Sequence, residues 1–250
     1  MGSTREWNNV KSKVFKLIPP DSRLTDDSVM TLAVAKWLTG DSSHTPERLV
    51  EDMRTLGRRY PRAGYGGSFR KWLKSEEPQP YNSWGNGSAM RVSPVGLYAA
   101  SLDEALVLAE VSAAVTHNHP EGIKGAKAIA ASVFMAKHGA SKVRIKEYVQ
   151  SEFGYDLERR IDEIRPNYKF HVSCQRSCPE AIIAYLESSD FEDALRNAVS
   201  IGGDSDTIGA MTGAIAAAEY GIPWQIAKPC ESLLDGYQKE ILAEFERLVL

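Results

Sequence analysis

Apolar residues recur at three- and four-residue intervals along most of the chain, as in Val29, Leu32, Ala33, Ala35 and Leu38. No run of alternating β-branched residues is closed by a hairpin turn. The pattern predicts an all-α protein. Start signals punctuate it: Thr45-Pro46 sets a cap ahead of a proline at the first helical position, and Ser101-x-x-Glu104, Ser177-x-x-Glu180 and Ser189-x-x-Glu192 read as capping boxes. The spacing predicts helices over Ser28–Leu38, Pro46–Tyr60, Phe69–Leu73, Ala89–Ala100, Asp103–Val115 and Glu121–Lys137. Further helices are expected over Lys142–Phe153, Leu157–Ile164, Pro179–Leu186, Phe191–Ser200, Thr207–Tyr220 and Glu231–Val249. Lys74–Ser88, which contains Pro78, Pro80, Gly85 and Gly87, is expected as a long surface connection of the kind that often carries function. With no composition break and no internal repeat, the 250 residues are expected to form one compact helical domain.

Composition narrows the function classes. Thirty basic against 33 acidic residues give a net charge of −3, so no basic field exists to collect the phosphates of a nucleic acid. The longest weakly polar run, Ile208–Ala218, is too short for a membrane span, and the first residues contain no apolar signal core. Three cysteines cannot build a disulfide framework and fit a reducing compartment, so a cytoplasmic monomer is expected.

Chemistry concentrates at the starts of predicted helices. Thr25-Asp26-Asp27 precedes one, and Gly202-Gly203-Asp204-Ser205-Asp206-Thr207 precedes another. Capping alone explains either segment taken singly, since Thr, Asp and Ser are favoured caps and carboxylates suit the positive helix end. Together they offer four carboxylates and two threonine hydroxyls, a hard oxygen set suited to Mg²⁺ or Mn²⁺; adjacent aspartates divide their oxygens more naturally between two ions than around one. The paired glycines also give a backbone freedom that a simple cap does not require. The small residues of the helix that follows, among them Gly209, Gly213, Ala214 and Ala217, would let neighbours pack on all sides and hold Asp204 and Asp206 rigidly.

Gly85-Asn86-Gly87-Ser88 is a glycine-rich turn exposing backbone N–H groups at a helix start, which suits a phosphate, although a plain Asn-Gly turn with a serine cap has the same sequence. Trp84 beside it can stack on a base or ribose, or simply cover the core. The pair His117 and His119 invites a zinc reading, but no Cys or carboxylate cluster completes a tetrahedral set. His117 is therefore expected as a polar ligand contact or a hydrogen-bonded structural histidine. Cys174 and Cys178, with His171 nearby, are an equally incomplete set and are expected as buried thiols or cap neighbours.

In order and spacing, Thr25-Asp26-Asp27-Ser28-Val29-Met30-Thr31, Gly85-Asn86-Gly87-Ser88-Ala89-Met90-Arg91, Thr116-His117 and Gly202-Gly203-Asp204-Ser205-Asp206-Thr207-Ile208 together resemble the ADP-ribosylglycohydrolase family. The resemblance implies an all-α fold, a compact single-domain orthogonal helical bundle, that holds two Mg²⁺ (or Mn²⁺) ions and hydrolyses the glycosidic bond between ADP-ribose and a modified side chain or small acceptor. It assigns the metals to Thr25, Asp26, Asp27, Asp204, Asp206 and Thr207, and ligand contacts to Ser83, Trp84, Gly85, Asn86, Gly87, Ser88, Met90, His117, Gly202, Gly203 and Ser205. Catalysis falls to Glu6 together with Asp27 and Asp204, Glu6 being placed like a catalytic acid or base. The substrate partner is then an ADP-ribosylated protein or an ADP-ribose conjugate. Members normally carry a Gly-x-x-x-Gly-Asp-x-x-Gly helix ahead of the stretch matched by Gly2–Glu6, and that helix is expected to be absent here. A Mg²⁺-dependent nucleotide pyrophosphohydrolase and a catalytically weak ADP-ribose-binding protein are the alternatives that the same residues allow.

Overall fold

The computed structural model describes residues 4–5, 9–40 and 42–249. Among them the chain forms helices joined by loops, and β pairing is confined to one isolated antiparallel bridge between Gly85 and Ser173. The helices are α1 (Asp26–Thr39), α2 (Pro46–Arg59), α3 (Gly67–Lys74), α4 (Gly87–Met90), α5 (Ser93–Tyr98), α6 (Leu102–Ala114) and α7 (Pro120–Lys137). They continue as α8 (Lys142–Phe153), α9 (Ile161–Ile164), α10 (Cys174–Leu186), α11 (Phe191–Ile201), α12 (Ser205–Tyr220), α13 (Trp224–Glu231) and α14 (Gly236–Val249). The all-α expectation is met.

The centre is α7, which touches α4, α5, α6, α8, α10 and α12. Its sequence explains this, because Gly125, Ala126, Ala128, Ala130 and Ala131 are buried and leave little side chain to hold neighbours away. Two contacts depend on glycine: a Cβ on Gly96 of α5 would lie 2.6 Å from the Ala130 carbonyl oxygen, and one on Gly125 would lie 2.5 Å from Cys174 Sγ of α10. Around this layer the outer helices bury single stripes. In α2 the stripe is Leu49, Met53 and Leu56, with buried Asp52 compensated by Lys36 and by Arg48 Nε at 3.1 Å.

Several boundaries differ from the sequence pattern. The single helix expected over Ala89–Ala100 breaks into α4 and α5, because Pro94 lacks an N–H and forces a restart at Ser93. Only Ile161–Ile164 of the Leu157–Ile164 span is helical. The Ser177 box is no helix start: α10 begins at Cys174 and runs through Pro179, while the Ser177 hydroxyl donates back to the Ser173 carbonyl at 3.0 Å. At α11 the cap is Asp190, which accepts from the Asp193 N–H at 2.8 Å and displaces the expected Ser189. The last span, expected over Glu231–Val249, holds only α14, which starts at Gly236, and α13 (Trp224–Glu231) precedes it where no helix was expected. Thr45 and Ser101 do cap as the sequence suggests, accepting from the N–H groups of Arg48 and Glu104. Among the described residues the α12 helix is enclosed on one side only: Gly209, Ala210 and Ala214 are half-buried, and nothing stands within 4 Å of a Cβ built on Gly209.

Two substitutions test this packing. Gly96→Ala is expected to lower the unfolding free energy by about 1–3 kcal/mol, since a backbone oxygen cannot move aside as a side-chain tip can. Gly209→Ala meets nothing within 4 Å and is expected to raise it by about 0.5–1 kcal/mol through helix propensity. Urea denaturation of both variants measures the two signs.

Candidate functional site

At the start of α1, Thr25 occupies the cap position without capping: its hydroxyl donates to Asp27 Oδ2 at 2.8 Å instead. The Asp26 N–H donates to the Ala63 carbonyl at 2.8 Å, which anchors the first turn to the loop after α2. Both carboxylates stand at the positive helix end. Asp27 is 5% exposed, and its Oδ1 is buried without a hydrogen-bond partner among the described residues.

At the start of α12 the chain turns through Gly202 (φ +76°) and Gly203 (φ +70°), a left-handed pair that side chains rarely adopt. Space forbids them as well, since a Cβ on Gly203 would sit 2.6 Å from Tyr168 Cε1. The turn is clasped from outside: Asn9 accepts from the Gly203 N–H, and the Lys11 ammonium donates to the carbonyls of Tyr168 (2.7 Å) and Ile201 (2.5 Å). Asp204 follows as the buried cap residue, and Asp206 Oδ1 accepts from the Thr207 N–H at 3.0 Å.

The two helix starts converge electrostatically. Burial first, and then Asp206, hold Asp26 up at about 6. Burial, followed by Asp206, Asp26 and Asp204, pushes Asp27 well above the usual carboxylate range. Asp204 is raised to about 7 by burial and by Asp206, against the opposing hydrogen bond from Asn86. Among the described residues, no three His, Cys, Asp or Glu side chains are disposed as a ready metal-ligand group. The arrangement is instead an acidic focus whose carboxylates repel one another and in which, among the described residues, Asp27 Oδ1 is buried without a partner.

The turn Gly85–Ser88 is fastened to the loop before α10 and to α10 itself. The Asn86 N–H donates to the Val172 carbonyl at 2.7 Å, the Cys174 N–H to the Trp84 carbonyl at 3.0 Å, and Cys174 Sγ to the Gly85 carbonyl at 3.1 Å. Asn86 Nδ2 then reaches Asp204 Oδ2 at 2.7 Å and Ser177 Oγ at 3.1 Å. The Asn86 side chain thus ties the turn to α12, while the Gly87 and Ser88 N–H groups have no partner among the described residues. Ser83 Oγ accepts from the Gly85 N–H at 3.1 Å. Trp84 is 53% exposed at the rim, edge-on to His119, so it does not cover the core.

Beneath the turn, Ser88 and Ser205 are wholly buried and Met90 nearly so; Ser88 Oγ donates to the Gly122 carbonyl at 2.7 Å. These three support the site from behind. His117 packs against Gly87 and Tyr81, with Nδ1 2.7 Å from Thr116 Oγ1; burial and the Arg91 charge hold it well below its ordinary pKa. His119 Nδ1 accepts from the Glu121 N–H, which makes it the cap of α7. Cys174 and Cys178 are the buried thiols expected of them. Glu6 lies outside the described residues.

Sequence reasoning missed Asn9, Lys11, Tyr168 and Ser177, whose roles depend on contacts across the fold, and it gave Arg91 no role although Arg91 ends a quoted motif. Tyr168 also lines a cleft of about 550 Å³ with Tyr155, Arg159, His171, Arg176 and Glu180.

The chain is 25% identical over 280 residues to mouse (Mus musculus) ADP-ribosylhydrolase ARH3, covering 88% of this chain and 75% of that protein. It is 26% identical over 220 residues to the ADP-ribosyl-[dinitrogen reductase] glycohydrolase of Rhodospirillum rubrum, covering 80% and 70%. A solved structure described as an ADP-ribosylglycohydrolase-related protein complex shares the fold, with a TM-score of 0.68 and 24% identity over 90% of this chain and 82% of that one. The profile of ADP-ribosylglycohydrolase matches residues 1–249, and with that match the chain belongs to the ADP-ribosylglycohydrolase family.

Proposed function

We propose that this protein hydrolyses the glycosidic bond between ADP-ribose and an amino-acid side chain or small acceptor, with two divalent cations, Mg²⁺ or Mn²⁺, at the acidic focus. The observation that carries the reading is the convergence of the α1 and α12 starts, where Asp26, Asp27, Asp204 and Asp206 act on one another's charge. Two relatives bear names that state this chemistry, one of them the R. rubrum glycohydrolase. The residues present suit hard cations. Asp27 has a buried oxygen without a partner, Thr25 and Thr207 add hydroxyls, and the mutual repulsion is of the kind that positive charge relieves.

Thr25, Asp26, Asp27, Asp204, Asp206 and Thr207 would hold the ions. Divalent cations, when bound, polarise ribose hydroxyls and lower the pKa of water. The chain supplies the rest. Asn86 fixes the direction of Asp204, the Gly87 N–H, without a partner among the described residues, offers a donor to the anionic part of the nucleotide, and Trp84 offers a flat apolar face at the rim. Glu6 is the proposed proton-transfer residue, with Asp27 and Asp204 orienting the reacting groups.

Asp204→Asn and Asp206→Asn are each expected to lower turnover at least about 100-fold while leaving the helical spectrum unchanged. The parent should release intact ADP-ribose from an ADP-ribosylated peptide. Release of AMP and ribose phosphate would identify a pyrophosphohydrolase instead, and tight binding without turnover at saturating Mg²⁺ would identify a binding protein.

Stability should depend on pH in a defined direction. Asp204 titrates near 7 in the fold against 3.8 in the unfolded chain, and Asp26 near 6, so between these values the native state holds protons that the unfolded chain has lost. Without divalent ions, stability should therefore fall by several kcal/mol as pH rises from about 4 through about 7. Added Mg²⁺ should raise the melting temperature at pH 7.5, and this gain should vanish in Asp27→Asn. A melting temperature indifferent to Mg²⁺ and Mn²⁺ would remove the metal assignment.

Asn86→Ala deprives the charged form of Asp204 of its hydrogen bond. The acidic limb of the pH–rate profile should move to higher pH, and the rate at neutral pH should drop by about 10-fold or more.

A further inference from the structure

Arg91 is wholly enclosed, and no carboxylate stands against it among the described residues. Its guanidinium donates to three oxygens: the Gly87 carbonyl at 3.2 Å, the Ser112 carbonyl at 2.6 Å and Thr116 Oγ1 at 2.9 Å. A guanidinium has no acceptor, and burial lowers this one only to about 10, so at neutral pH it is a fixed donor.

That fact settles where the protons lie on its neighbours. Thr116 Oγ1 is buried and accepts from Arg91; the remaining partner of its hydroxyl is His117 Nδ1, 2.7 Å away. If Nδ1 carried a hydrogen, the single hydroxyl proton of Thr116 would be left buried without an acceptor. Thr116 must donate to Nδ1, and the hydrogen of a neutral ring then sits on Nε2. An imidazolium is disfavoured twice, by the clash of two protons at Nδ1 and by the adjacent Arg91 charge, the second cause being one of those that hold His117 well below its ordinary pKa.

The Nε2 edge has a definite neighbour. A Cβ on Gly87 would lie 3.1 Å from Nε2 and 3.2 Å from Cε1, and one on Gly85 would lie 3.5 Å from Nε2. The edge therefore rests on the turn whose Gly87 and Ser88 N–H groups have no partner among the described residues. We infer that Arg91 is a positioning residue which, acting through Thr116, locks His117 as the neutral Nε2–H tautomer, so that the ring adds an uncharged donor beside the Gly87 N–H for a phosphate oxygen of the nucleotide. The tautomer follows from the buried network alone; the ligand half rests on the nucleotide reading given above.

Two-bond ¹H–¹⁵N NMR on full-length protein labelled at histidine tests it, with His117→Gln used to assign the resonance. The expected spectrum has an unprotonated Nδ1 and a protonated Nε2 on His117, unchanged from about pH 5.5 to about pH 8. A protonated Nδ1, or a titration to imidazolium in that range, overturns the inference in the parent protein with no variant needed. Thr116→Val keeps the shape but removes the hydroxyl. It should mix the tautomers and weaken free ADP-ribose binding by roughly tenfold, raising KM more than it lowers kcat, and Thr116→Ser should restore both. Mixed tautomers with unchanged ADP-ribose affinity would refute the donor role. A parent chain that shows the Nε2–H tautomer yet binds no ADP-ribose would instead refute the nucleotide reading and leave the tautomer assignment standing.

Discussion

The hydrogen bond from Asn86 to Asp204 is the interaction on which the site turns. Asp204 is buried beside Asp206 and within the field of Asp27, and each of these conditions opposes its negative charge. The Asn86 amide, 2.7 Å away, is the largest influence in its favour. Its position is not a local matter. The turn bearing Asn86 is fastened through Val172, Cys174 and Ser177, α10 lies close to α7 because residue 125 has no side chain, and α7 can serve as a hub because its residues are small. A run of alanine and glycine at the centre thus holds in place the hydrogen bond that favours the ionised form of a buried aspartate.

Electrostatically the site has two ends. One gathers carboxylates from α1 and α12; the other gathers donors, namely the Gly87 N–H, which has no partner among the described residues, and, behind it, the enclosed Arg91. Asn86 stands on the boundary, with its backbone in the donor end and its amide on the acidic one. In surroundings largely closed to water such a separation persists, because little solvent is present to screen it.

Much of this was legible in the sequence, and the parts that were not share a cause. Helical periodicity gave the architecture, since a 3.6-residue repeat is a property of neighbours along the chain. Thr25, Asp26, Asp27, Asp204 and Asp206 were recognisable because oxygen-bearing residues cluster at two helix starts. The Ser177 box failed because its spacing is a local pattern, whereas α10 begins earlier, at Cys174, where the paired loop holds it. Asn86 was read as a ligand contact, yet its amide reaches across 118 positions to Asp204. Asn9 and Lys11 left no local trace at all, because their partners lie at the far end of the sequence.

That last contact bears on the order in which the molecule is assembled. Lys11 meets the carbonyl of Ile201 across 190 positions, and Asn9 meets Gly203 across 194. Closing loops of that length is entropically slow relative to forming the helix pairs between them. On an emerging polypeptide the first acidic pair, Asp26 and Asp27, would be synthesised long before its counterpart exists. The early-folding helices therefore present one isolated pair of carboxylates, and the concentrated negative field arises only when the two distant segments are buckled together. Construction of the hub can thus run largely to completion before the most repulsive feature of the native state has to be assembled.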